Sequence, residues 1–186
     1  GEHPDRVFNV GSIGVENVKS TALYDRSETS ELLGIENDSR FVIVTFHPVT
    51  LENASSEYQI KELFNAFDLH KNLTFVFTKG NADAGGRVIN QLIDEYVAVN
   101  KNCRVFTSLG LKLYLSAVKN SICVIGNSSS GIVEVPSFGI PTINIGDRQK
   151  GRIQADSVTN CNPSCASIDE AINLALNPDF RDKACK

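Results

Sequence analysis

Four stretches of this chain are apolar almost without interruption: Phe41-Val-Ile-Val-Thr-Phe46, Leu73-Thr-Phe-Val-Phe-Thr78, Ser121-Ile-Cys-Val-Ile125 and Pro141-Thr-Ile-Asn-Ile145. A strand with one wet face alternates polar and apolar residues. A strand covered on both faces does not, so these runs fit parallel strands sandwiched between helices. Arg104-Val-Phe106 reads as a shorter strand, and 157–159 as a weak last one. The stretches between them carry helical spacing. Over 56–70, Ile60, Leu63, Phe64 and Phe67 share a stripe; over 85–99, Val88, Leu92, Ile93 and Tyr96 do. Leu111, Leu115 and Val118 mark a helix over 111–118; Ile168, Ala171, Ile172 and Leu174 mark one over 167–176 behind a serine N-cap. Strands alternating with helices, joined by right-handed crossovers, predict an α/β fold: a Rossmann-like parallel sheet with helices on both faces. Residues 1–35 are less regular and read as an entry segment, with a strand over 6–8 and a helix over 28–33. Residues 36–186 form the main lobe.

Composition excludes several partners. The net charge is −4 with no Lys/Arg cluster, which argues against nucleic acid and anionic membranes. The longest apolar runs are far shorter than the roughly twenty residues of a membrane helix. The opening residues carry no apolar h-region, so no signal peptide is expected; the five cysteines fit neither a disulfide framework nor a zinc site, so a reducing cytoplasm is expected. There is no Met at all, which reads as a piece excised from a longer protein.

The chemistry is expected at the strand ends, because open parallel sheets bind ligands beyond the carboxyl ends of their strands. His47-Pro48 follows the first strand, Gly80-Asn81 the second, Gly126-Asn-Ser-Ser-Ser-Gly131 the fourth and Arg148 the fifth. Glycines allow sharp turns, and loop N–H groups with serine hydroxyls make an anion cradle needing little formal charge. A phosphate or diphosphate fits Ser128 and Ser129, with His47 and Arg148 supplying charge. Pro136 lacks an N–H and limits the following helix to a short one. Each residue also has a bland reading: His47 as a strand-end histidine, Asn81 as a turn residue, Arg148 as a solvated charge. Glu134 is either a carboxylate favoured by the helix dipole or an acceptor for both hydroxyls of a ribose. No Ser–His–Asp triad can be argued, and neither GxxxxGK nor GxGxxG occurs.

Three segments resemble the hydrolysing UDP-N-acetylglucosamine 2-epimerases: Thr45-Phe-His-Pro-Val-Thr-Leu-Glu52, the run from Gly126 through Pro141 to Gly146, and Asp147-Arg-Gln-Lys-Gly-Arg152. Arg6-Val-Phe-Asn-Val-Gly-Ser12 resembles the family's crossing between domains. Non-hydrolysing relatives carry His-Arg-Arg-Glu and Asp-Ser-Gly-Gly where this chain has His-Pro-Val-Thr and Asn-Ser-Ser-Ser-Gly. The resemblance implies the second lobe of a two-lobe glycosyltransferase-B fold, with no cofactor and no metal. It implies a UDP-sugar substrate, a missing N-terminal lobe as partner and a homo-oligomer when intact. By resemblance Ser128 and Ser129 hold the diphosphate, Glu134 the ribose diol, and Arg148 and the catalytic candidate His47 the phosphate region. Asn81 lines the pocket and the Ser108–Leu109 backbone flanks uracil. The implied reaction is elimination of UDP to a 2-acetamidoglycal, then hydration with inversion at C2 to N-acetylmannosamine, for sialic-acid-type sugars. A UDP-diacetamido-trideoxyhexose on the legionaminic acid route is the nearest alternative. A glycosyltransferase lobe and a non-catalytic binding module are the others. The proton-moving carboxylates belong to the first lobe, so this chain alone is expected to bind UDP weakly and turn over nothing.

Overall fold

The computed structural model describes residues 3–6, 8, 11–49, 53–80 and 84–185. Six parallel strands form one sheet: β1 (Phe41–Thr45), β2 (Thr74–Thr78), β3 (Cys103–Phe106), β4 (Val124–Gly126), β5 (Thr142–Ile145) and β6 (Val158–Cys161). Their spatial order is β3-β2-β1-β4-β5-β6. The chain walks outward from β1 to β3, returns to lay β4 on the other side of β1, and walks outward again.

Among the described residues the α-helices are α1 (Ile13–Ser20), α2 (Arg26–Leu33), α3 (Asn53–Asp68), α4 (Ala84–Val99), α5 (Gly110–Asn120), α6 (Ser130–Val133), α7 (Cys165–Leu176) and α8 (Pro178–Ala184). Every residue of β1 is buried, and its alternate side chains go to opposite faces. Val42 and Val44 join Ile60, Leu63, Phe67, Ile89, Ile93 and Ile172 under α3, α4 and α7. Phe41 and Ile43 join Leu33, Ala117, Val118 and Val135 under α2 and α5. This two-sided burial is why β1 shows no alternation. Phe67 stacks on Phe75 at 3.9 Å and Phe64 on Tyr96 at 4.1 Å between ring centres, locking α3 to the sheet and to α4.

The structure departs from the expected elements in several places. Residues Pro4–Arg6 form a 3-10 turn, and Val7, the middle of the strand expected over 6–8, lies outside the described residues. Val88 of α4 is 42% exposed and Ile89 takes its place in the core, a one-position rotation of the stripe. Leu111 and Leu174 are likewise exposed, because α5 and α7 each lie on one side only. β4 begins at Val124 because Ser121 instead caps α5, its hydroxyl donating to Val118 O at 2.8 Å. The N-cap of α7 is Ser164, accepting from the Ser167 N–H. In α2 the helix begins at Arg26, where Asp25 and Glu28 form a capping box. No helix among the described residues is long and apolar enough to cross a membrane.

All five thiols are free. Burial pushes Cys103 up to about 11 and both Cys123 and Cys161 up to about 12. An unfolded thiol titrates near 8.5, about three units lower. Each of these residues holds its proton more tightly folded than unfolded. Their contribution to stability is therefore complete below about 8.5 and is lost as pH climbs through the folded values. Urea midpoints measured from neutral to strongly alkaline pH are expected to fall across that window. At mildly alkaline pH, iodoacetamide should label exposed Cys185 well before buried Cys123.

Candidate functional site

The order of the strands reverses between β1 and β4, and that reversal opens a crevice at their carboxyl ends. Thr45 and Gly126 are partners there. Gly126 has φ 143°, and a Cβ on it would lie 2.7 Å from the Thr45 carbonyl carbon and closer still to its oxygen. The backbones therefore pass where no side chain fits, and the chain turns sharply into Asn127.

Asn127 ties three strand ends together. It is 1% exposed. Its Oδ1 accepts from the His47 N–H at 2.7 Å, and its Nδ2 donates to His47 O at 2.8 Å. Its own N–H donates to Thr45 O at 3.2 Å. Its carbonyl accepts from Arg148 Nη1 at 2.9 Å and from Gln149 Nε2 at 2.8 Å. So the loop after β4 holds His47 after β1 and Arg148 after β5. The end of β2 joins from the other side: Asn90 clamps Gly80 N–H and O at 3.2 and 3.3 Å, and a Cβ at Gly80 would meet His47 Nδ1 at 3.0 Å. Asn81 lies outside the described residues.

Beside this junction is a cleft of about 450 Å³. One end is the β3–α5 turn, with Thr107, Ser108 and the α5 N-cap Leu109. The other end is Ser128 and Ser130, and the floor includes Thr45 and Thr78, whose hydroxyls pair at 2.6 Å. Among the described residues the Ser128 and Ser129 N–H groups have no hydrogen-bond partner. α6 has only four residues before a 3-10 turn, Val135–Phe138, with Pro136 in its first turn. A macrodipole that short is small, so any anion here would rest on loop N–H groups, hydroxyls and Arg148. Lys79, at the cleft wall, is held by Asp94 at 2.7 Å.

Glu134 does not line this cleft. It sits one turn beyond Ser130, against α1, where a Cβ at Gly14 would lie 2.8 Å from its Cδ. Its Oε2 is buried and has no hydrogen-bond partner among the described residues. A buried acceptor without a donor costs about 1–3 kcal/mol, and Ser30, Gln149 and Ser157 each carry one as well.

The structure thus ties the His47 backbone and the Arg148 guanidinium to the serine loop through Asn127, lines the cleft with Ser128 and Leu109 but not with His47, Ser129 or Arg148, and leaves Glu134 behind α6. Asn127, Asn90, Gln149 and Tyr114, the last of which lines the cleft, were missed as contributors by motif reasoning. Asn127 alone carried a signal, a polar residue directly after a buried strand. A second depression, about 380 Å³, lies beyond β5 and β6. Its amides pair with one another, Asn144 Nδ2 with Asn160 Oδ1 at 2.7 Å and Asn160 Nδ2 with Gln154 Oε1 at 2.7 Å.

Residues 1–186 match the family described as UDP-N-acetylglucosamine 2-epimerase. The chain belongs to that family. Within the epimerase family it is 36% identical over 182 residues to the GDP/UDP-N,N'-diacetylbacillosamine 2-epimerase (hydrolyzing) of Campylobacter jejuni, covering 97% of this chain and 47% of that protein. It is 40% identical over 181 residues to the polysialic acid biosynthesis protein P7 of Escherichia coli, covering 97% and 46%. The chain spans about half the length of the curated relatives it matches. Among solved structures, the S. aureus MnaA–UDP co-structure superimposes with a TM-score of 0.73 at 16% identity, over 100% of this chain and 49% of that one. The lipopolysaccharide glycosyltransferase WaaG does so with a TM-score of 0.60 at 13% identity, over 99% and 49%. Those two likenesses are of fold: this epimerase-family chain has the architecture of one lobe of a glycosyltransferase-B type enzyme.

Proposed function

We propose that the chain is the nucleotide-diphosphate lobe of a hydrolysing UDP-sugar 2-epimerase. The observation that carries this reading is the Asn127 junction. It holds His47 and Arg148 beside unpartnered loop N–H groups at the sheet's switch point. In this reading Ser128, Ser129 and Arg148 bind the diphosphate, His47 faces the same phosphate region, and Leu109 lies along the uracil. Glu134 turns from α1 to accept the two ribose hydroxyls, which supply the donors its Oε2 lacks.

The reaction begins with cleavage of the C1–O bond to UDP and loss of the C2 proton to a base, leaving a 2-acetamidoglycal. Water then adds, hydroxyl to C1 and proton to C2 on the opposite face, giving the inverted free sugar. The work of this lobe is to stabilise the negative charge that develops on the departing diphosphate, by donors already in place. The base and the water-delivering groups belong to a first lobe. Two substrates are in contention. The name of the Campylobacter relative supports UDP-N,N'-diacetylbacillosamine. The polysialic acid name of the Escherichia relative supports UDP-N-acetylglucosamine, with N-acetylmannosamine as product.

UDP titrated into the chain should bind, and Glu134→Ala and Ser129→Ala should each weaken it by about 1–3 kcal/mol, the scale of a lost hydrogen bond to a charged group. Unchanged affinity in both variants counts against the site. NMR of the chain joined to its first lobe, given each UDP-sugar in turn, identifies the substrate by the free sugar released. A requirement for a saccharide acceptor would instead favour a glycosyltransferase, the second reading that the WaaG likeness supports.

A further inference from the structure

Tyr114 stands between the two ends of the cleft and has no part in the reading above. It lies in the second turn of α5, the helix whose N-cap, Leu109, borders the base end. Its ring packs on the same core as Leu109 and Phe106. Its hydroxyl crosses to Ser130 Oγ at 2.8 Å, at the first residue of α6. Burial pushes the phenol up to about 12, with Glu134 adding to the rise and the Ser130 hydrogen bond opposing it. At neutral pH this is therefore a neutral hydroxyl pair.

The serine loop needs such ties. α6 is too short to hold its own position, and the Ser130 N–H reaches Ser128 Oγ only at 3.4 Å. From the sheet side, Thr142 Oγ1 donates to Gly131 O at 2.8 Å. From the α5 side, the tie is Tyr114. We propose that Tyr114 is a positioning residue. Through Ser130 it holds the phosphate end of the cleft at a set distance from the base end, matching the cleft to a nucleoside diphosphate rather than to a nucleoside. This rests on the nucleotide-diphosphate reading.

Ligand-observed NMR titrations of the chain with UDP and with uridine test it. Tyr114→Phe keeps the ring and its packing but removes the hydroxyl. It is expected to weaken UDP roughly 3- to 10-fold, as for one neutral hydrogen bond, and to leave uridine within about twofold. Ser130→Ala should give a similar loss, and the double variant no further loss, because both remove one interaction. Equal weakening of UDP and uridine would mean that Tyr114 only packs, and would overturn the proposal. So would additive losses, or UDP binding as in the unsubstituted chain. If the unsubstituted chain fails to bind UDP, the nucleotide-diphosphate reading itself falls and this proposal with it.

Discussion

Gly126→Ala is expected to leave the chain largely unfolded at physiological temperature. The residue sits at φ 143°, a conformation side-chain-bearing residues rarely adopt, and the added Cβ would strike the Thr45 backbone. A flexible side chain can swing away from a clash; a carbonyl in the central β1–β4 pairing cannot. Backbone strain of about 1–3 kcal/mol adds to the clash, so the total should exceed about 4 kcal/mol, a large share of a domain's stability. Gly146 is the control. It has φ 69° with open space around its Cβ position, so Gly146→Ala should cost only about 1–2 kcal/mol. Urea unfolding separates the two. A cooperatively folding Gly126→Ala with a midpoint near that of Gly146→Ala would show that β1 and β4 do not approach as described.

The second large effect is expected at Asn127. Asn127→Ala removes the side-chain amide that bonds both the N–H and the carbonyl of His47. Losing two hydrogen bonds at a half-buried site costs about 0.5–1.5 kcal/mol each, giving a loss of about 1–3 kcal/mol. The carbonyl that receives Arg148 and Gln149 is backbone and survives the substitution. The damage should therefore localise to the β1 end. Hydrogen exchange is expected to accelerate at the His47 amide far more than at the β5 amides. In the proposed function UDP affinity falls as well, because the chain segment that carries His47 loses its tie to the serine loop. Uniform acceleration over the whole sheet would mean that Asn127 is simply part of the core.

The layout of the sheet was legible for a definite reason. Burial on both faces removes alternation, and that is a local property written in the residues of each strand. The strand-end polar residues were legible for the same reason, since each interrupts an apolar run. The rest depends on contacts that no window of sequence contains. The His47–Asn127 bonds join positions 80 apart in the chain. Val88 and Ile89 are adjacent apolar residues, and a period of 3.6 does not say which of them faces in. Leu111 and Leu174 fit their helical stripes, yet they lie past the edge of what α5 and α7 cover.

Glu134 shows the division most clearly. Its place after a glycine- and serine-rich loop pointed to a ligand, and charge among Ile132, Val133 and Val135 needs a reason in any fold. That it lies against Gly14, with one buried oxygen unpartnered, follows only once α1 packs on α6. Local composition dictated strands, helices and where the chain leaves the sheet, because hydrophobic burial and backbone preference act residue by residue. Tertiary packing alone decided which of those exits meet, because hydrogen bonds such as those of Asn127 exist only after distant segments have been brought within 3 Å or so.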